Sequence, residues 1–170
     1  TNGDSFLPGV FRRAESGTQN DTNSLLFGQP VLSWWGPRFD GKHMISVTEK
    51  YISVDEVVGF LRHPDAGAVI SYLGTVRSSL EGKRSRGLSF EIDDSAMRES
   101  LRRVESEALQ KFAIREVAIV HRTGSFAVGD DILLIAISSA HRGPAFDACQ
   151  HIIDRIKELH DIWKQEKLEA

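Results

Sequence analysis

The sequence predicts an α+β domain, with helices packed on a mostly antiparallel sheet. Two observations carry this. Apolar residues recur at helical spacing in three stretches, and before and between them lie five short runs rich in strand formers. Most of those runs are joined by short turns rather than by helices, which favours hairpins over parallel crossovers. The chain has 170 residues and 41% hydrophobic content, enough for one core.

The regular pattern starts at Met44. Ile45 and Val47 alternate with polar neighbours and predict a short strand. Ser53 with Glu56 makes a capping box, and Val57, Val58, Phe60 and Leu61 give the helix that follows an apolar face. His63-Pro64 stops it. Residues 67–77 read as a strand. A polar loop carrying Lys83, Arg84 and Arg86 is expected next, then a strand over Leu88–Ile92. Asp93-Asp94-Ser95 offers a helix cap, and Met97, Leu101, Val104, Ala108 and Phe112 form one helical stripe. Val117–Arg122 and Ile132–Ser139 are strands, the second strongly apolar and central. Pro144 opens the last helix, which carries Phe146, Cys149, Ile153, Ile156 and His160 to about residue 160. The predicted order is β-α-β-β-α-β-β-α.

Residues 1–43 are rich in Gly, Asn, Asp, Ser and Thr and show no sustained period. They read as an N-terminal extension of unknown role, a leader or an arm docking Trp34 and Trp35, ahead of a domain at 44–170. No run of about 18 apolar residues exists, so a membrane-spanning helix is not expected. No secretory signal pattern is read at the N-terminus. A single cysteine, Cys149, cannot make an internal disulfide or a thiolate metal cluster, so a cytoplasmic setting is expected. Its place on an apolar helix stripe marks it as core. The net charge of -3 argues against a general nucleic-acid coat.

Cationic side chains gather at element ends. Arg77 follows Gly74-Thr75-Val76 where a strand runs into a loop. His141 and Arg142 stand where a strand gives way to a helix N-terminus, a place that favours anions. Lys157 and Lys164 are seven apart, so a continuing helix sets both on one face, about 10 Å apart, with His160 and Asp161 between. A lysine beside other cations has reason to shed its proton and react. Each group also has an ordinary reading: a surface arginine, a structural histidine, a solvated charged helix face. The histidines show no HExxH-type metal spacing, and no P-loop, dinucleotide fingerprint or GxSxG elbow occurs.

Gly74-Thr75-Val76-Arg77, His121-Arg122-x-Gly124, Ser139-Ala140-His141-Arg142 with Ala145-Phe146, Lys157, and Ile162-Trp163-Lys164-x-Glu166 occur in that order. This set resembles the large, catalytic subunits of molybdopterin synthase, the MoaE family, over about residues 45–167. The resemblance implies an α/β-hammerhead-type fold and an enzyme, a sulfurtransferase-type synthase. Its substrate would be cyclic pyranopterin monophosphate, converted to the dithiolene of molybdopterin. Sulfur would come from the C-terminal thiocarboxylate of a small ubiquitin-like carrier ending in Gly-Gly. No permanently bound cofactor or metal is implied, and the assembly would be a heterotetramer on a homodimer of large subunits.

By the same resemblance, Lys157 and Lys164 are the catalytic pair. Thr75, Val76, Arg77, His141, Arg142, Gln165 and Glu166 bind substrate, and Tyr72 stands where a pocket aromatic is common. His141 and Arg142 can serve the neighbouring subunit's pocket. Both reactants are anionic, so converging Arg, Lys and His make chemical sense despite the acidic total. The segment Phe90–Met97 departs from the family, with Asp94 where Tyr is frequent. Two other classes stay open: a non-catalytic relative that binds a phosphorylated small molecule or the carrier, and an RNA-binding module using Lys83, Arg84 and Arg86.

Overall fold

The computed structural model describes residues 44–80 and 82–168; the extension expected at 1–43 lies outside them. Eleven elements follow one another: β1 (Met44–Thr48), α1 (Val54–Phe60), β2 (Ala68–Thr75), β3 (Ser79–Leu80), β4 (Lys83–Phe90), α2 (Asp94–Lys111), β5 (Glu116–Arg122), β6 (Gly124–Ala127), β7 (Asp131–Ser139), α3 (Arg142–Trp163) and β8 (Lys164–Leu168).

A first sheet has the order β1-β5-β7-β2. Only the β1–β5 pair is parallel; β5–β7 and β2–β7 are antiparallel. β5 and β7 are interior strands buried on both faces, which explains their unbroken apolar runs. Val117, Ile119, Leu133, Ile135 and Ile137 face the core shared with α2 and α3. Ala118, Val120, Leu134 and Ala136 face a second cluster, completed by Ile52, Val57 and Leu61 around α1. The alternation of strand side chains thus builds three layers from one sequence run.

The caps behave as the sequence predicts. Ser53 accepts from the Glu56 N–H at the start of α1. Asp93 accepts from the Ser95 hydroxyl and from the Ala96 and Ser95 N–H groups at the start of α2, and these bonds, the hydroxyl first, hold its carboxyl below the usual range. Met97, Leu101, Val104 and Ala108 are fully buried along α2. Each large apolar side chain so buried contributes about 1.5–3 kcal/mol.

Three strands go beyond the sequence expectation. The basic stretch Lys83, Arg84 and Arg86 is no loop. It is the first half of β4, which pairs with β3, β6 and β8 in a second sheet. Gly87 permits this crossing: its φ is +147°, and a Cβ there would sit 2.0 Å from the Phe126 carbonyl oxygen. β6 and β8 are short or polar, so their strand character comes from pairing with β4 rather than from propensity. On α3, Phe146 is 59% exposed.

Candidate active site

Register fixes which functional groups can meet. In the β2–β7 ladder, Ala68 stands opposite Ser139 and Thr75 opposite Asp131. Thr75–Arg77 therefore leave one end of the first sheet. The strand ends at Thr75, after an irregularity at Gly74/Thr75. Val76 does not offer its side chain to a ligand; it is buried in the core. Its N–H donates to the Asp130 carbonyl at 2.9 Å, and its carbonyl accepts from Gly129 at 2.9 Å. Val76 thus ties the chain to the β6–β7 turn and fixes where Arg77 emerges. Arg122 braces the same end, donating to the carbonyls of Asp131 (2.8 Å) and Glu49 (3.2 Å).

α3 packs across β7 and β2 and returns to that end. It starts just past Ser139, at the far end of β7. Eighteen residues later His160 meets His121 of β5, which stands opposite Leu133, itself opposite Gly74. The last turns of α3 are therefore level with Thr75. Lys157 is exposed there, one turn before His160.

The last helix runs a little past its expected end near residue 160 but does not continue through Lys164. α3 ends at Trp163, whose buried ring anchors it, and the chain turns into β8. Yet Lys164 keeps a helical φ of -86° and its N–H still donates to the His160 carbonyl; only its ψ of 134° departs. Its Cα–Cβ bond, set by φ, keeps the helical direction. Lys157, His160 and Lys164 therefore share one side, as i, i+3 and i+7 do. Arg77, Lys157 and Lys164 thus lie toward the same end of the sheet. Among the described residues neither Arg77 nor Lys157 makes an ion pair, so neither charge is neutralised by a described carboxylate.

Beneath Lys164 lies a group that sequence reasoning did not assign. His121 Nε2 and His160 Nε2 are 2.7 Å apart, and His121 Nδ1 is 2.8 Å from the Arg122 carbonyl oxygen. A carbonyl only accepts, so Nδ1 of His121 carries a proton; with that ring neutral, its Nε2 accepts from His160 Nε2–H. Burial, above all, pushes His121 down to about 4 and His160 to about 3; nearby His121 and Lys164 add to the shift of His160. Phe90 and Trp163 wall the pair, with Phe90 centred 4.7 Å from His121 and 5.0 Å from His160. The signal was present: His121 continues the inward 117, 119, 121 alternation, and His160 falls on the inward stripe of the last helix.

His141 and Arg142 stand elsewhere. They follow Ser139 at the opposite end of the ladder, about 23 Å from Thr75 at the strand rise. The helix gives the same answer, since Arg142 and Lys157 are separated by about 22 Å of α3. His141 is the N-cap residue of α3 but makes no side-chain cap bond, and the first turn has no acidic residue. That terminus, with Arg142, offers free donors and positive potential.

The remaining residues fall into place along β2 and β8. Thr75 is exposed, and Tyr72 is partly buried against the core under α3. Gln165 donates to Glu91 at 3.1 Å. Glu166 stands opposite Leu88 in β8. Cys149 is buried and its thiol pushed up by burial, in keeping with a core residue. No helix among the described residues is long and apolar enough to cross a membrane.

Fold and site together define an α+β domain with exposed cations at one sheet end, suited to anionic ligands. A sequence family described as the MoaE protein matches residues 47–159. A molybdopterin synthase catalytic subunit of Thermoplasma volcanium is 38% identical over 125 residues, covering 74% of this chain and 91% of that protein. The Homo sapiens protein of the same name is 34% identical over 125 residues, 74% of this chain and 66% of its own. The crystal structure of molybdopterin synthase from Staphylococcus aureus superposes with a TM-score of 0.65 at 30% identity, covering 73% of this chain and 90% of that one. A complex of subunits 1 and 2 of molybdopterin-converting factor from Helicobacter pylori shares the fold, with a TM-score of 0.54 at 17% identity over 67% of this chain and 77% of that one. The chain belongs to the MoaE family.

Proposed function

We propose that the chain is the catalytic subunit of a cytoplasmic molybdopterin synthase. It converts cyclic pyranopterin monophosphate to molybdopterin, with sulfur from the C-terminal thiocarboxylate of a small ubiquitin-like carrier ending in Gly-Gly. The observation that supports this is the placement of Arg77, Lys157 and Lys164 toward the same end of the first sheet. Two anionic reactants need such a place.

In this reading Arg77 holds the substrate phosphate through its fork of donors. Thr75 adds a hydroxyl beside it, and Tyr72 forms the wall below. Lys157 orients the carrier's thiocarboxylate carbonyl and moves protons as the sulfur bonds to a pterin carbon that gives up its oxygen substituent; water then cleaves the acyl C–S bond, leaving sulfur on the pterin and a carboxylate on the carrier. Lys164 stabilises the negative charge that develops, with Gln165 and Glu166 following it along the β8 rim. His141 and Arg142 are too far from Arg77 in one chain to share its ligand, so they complete the site of a second copy. A homodimer within a heterotetramer meets that need.

The test is reconstitution with thiocarboxylated carrier and mass measurement of the pterin. Product carrying two added sulfurs is expected. Carrier or pterin binding without conversion would make the chain a non-catalytic relative instead.

A further inference from the structure

The His121–His160 pair is buried, titratable and unused by the chemistry above. Buried polar pairs of this kind are retained only where every partner is satisfied, and here the bonds run one way. His160 Nε2–H donates to His121, and His121 Nδ1–H donates to the Arg122 carbonyl. This is the arrangement of two uncharged rings, the state that burial favours.

The pair sits where Lys164 is made. The carbonyl of His160 accepts the Lys164 N–H, so the ring and the lysine hang on the same turn. Phe90, packed edge-on to His121 and against His160, is also the residue opposite Lys164 in the β4–β8 ladder. The Glu91 N–H reaches the Trp163 carbonyl between them. The groups that enclose the pair are therefore those that hold the Lys164 backbone from both strands.

We propose that His160, backed by His121, is a positioning residue for Lys164. The pair pins the α3–β8 junction to β5 and sets an uncharged ring, rather than a cation, beside the lysine ammonium. This rests on the reading of Lys164 as a reacting group, but its first test does not.

Nitrogen NMR of the histidine side chains of the intact protein at neutral pH reads the tautomers without turnover. His121 protonated at Nδ1 and His160 at Nε2, both neutral, is expected. A charged ring, or His121 protonated at Nε2, overturns the proposal. The second test follows the surroundings of Lys164 by carbon NMR of its ε-position. His160→Leu should move the Lys164 ε-carbon resonance and leave that of Lys157 unmoved, and His160→Gln, which keeps a donor toward His121, should restore it. An unshifted Lys164 in a folded His160→Leu protein also overturns it. In turnover, His160→Leu should lower kcat about tenfold or more, with KM for the pterin within about twofold. If the native protein makes no product while the NMR results hold, the functional reading fails and the positioning relationship stands.

Discussion

Arg77 and His141 leave opposite ends of the same antiparallel strand pair. Ala68 opposite Ser139 and Thr75 opposite Asp131 leave no register in which one chain could bring them together. If both serve one substrate, they come from two copies. Mixing a Lys157→Ala chain with an Arg142→Ala chain should therefore regain activity. Random pairing gives half hybrid dimers, each with one intact site of two, so about a quarter of native turnover is expected. Mixtures no more active than either parent would show that Lys157 and Arg142 do not complete one site across two copies.

Lys157 is exposed and makes no ion pair among the described residues, so its removal should cost little stability. Lys157→Ala is expected to unfold within about 0.5 kcal/mol of the native protein. It should still bind the carrier and yet form no product. Calorimetric titration with the carrier beside the mass assay separates the two. Turnover near the native rate would remove Lys157 from the mechanism.

Much of this was legible in the chain, for definite reasons. The doubly buried strands announced themselves because β5 and β7 have helices on both faces. Asp93 and Ser53 marked their helix starts because a cap is a local device. β8 was not legible. Lys164–Leu168 has no strand pattern, and only the free edge of β4, distant in sequence, makes it one. The cations at Arg77, Lys157 and Lys164 could be picked out by type, but their common end depends on register. The separation of His141 from Arg77 depends on it too. Lys83, Arg84 and Arg86 read as a loop because charge suggests solvent, whereas an exposed strand face is equally solvated.

The His121–His160 pair gives the stability of the fold a pH dependence with a definite sign. Unfolded, each ring titrates near 6.5; folded, they titrate near 4 and 3. The folded state refuses protons that the unfolded chain accepts, so stability is full above about pH 6.5 and falls as pH drops. The loss is about 1.4 kcal/mol per pH unit for each histidine, and it ceases below the folded values. Urea midpoints measured between pH 7 and pH 5, above the carboxylate range, isolate the effect. His160→Leu should roughly halve the slope while lowering stability at neutral pH, because His121 Nε2 loses its donor. A flat profile in the native protein would mean that the rings are not buried as a neutral pair.

Gly67 tests the other end of the sheet. It precedes β2 and lies against Ala140, the residue that leads into His141. A Cβ added there would stand 2.4 Å from the Ala140 carbonyl oxygen, a backbone atom that cannot turn aside. Either β2 or the start of α3 must move. Gly67→Ala is expected to cost about 1–3 kcal/mol, the range for overpacking. Gly59 in α1 is the control, since a Cβ there meets nothing within 4 Å. Gly59→Ala should stabilise by up to about 1 kcal/mol through helix propensity. Displacement of Ala140 carries His141 and Arg142 with it. Folded Gly67→Ala protein should therefore show a raised KM for the pterin and an unchanged affinity for the carrier. In the mixing experiment it should behave as Arg142→Ala does, complementing Lys157→Ala but not Arg142→Ala. Complementation of Arg142→Ala instead would show that Ala140 does not set the position of Arg142.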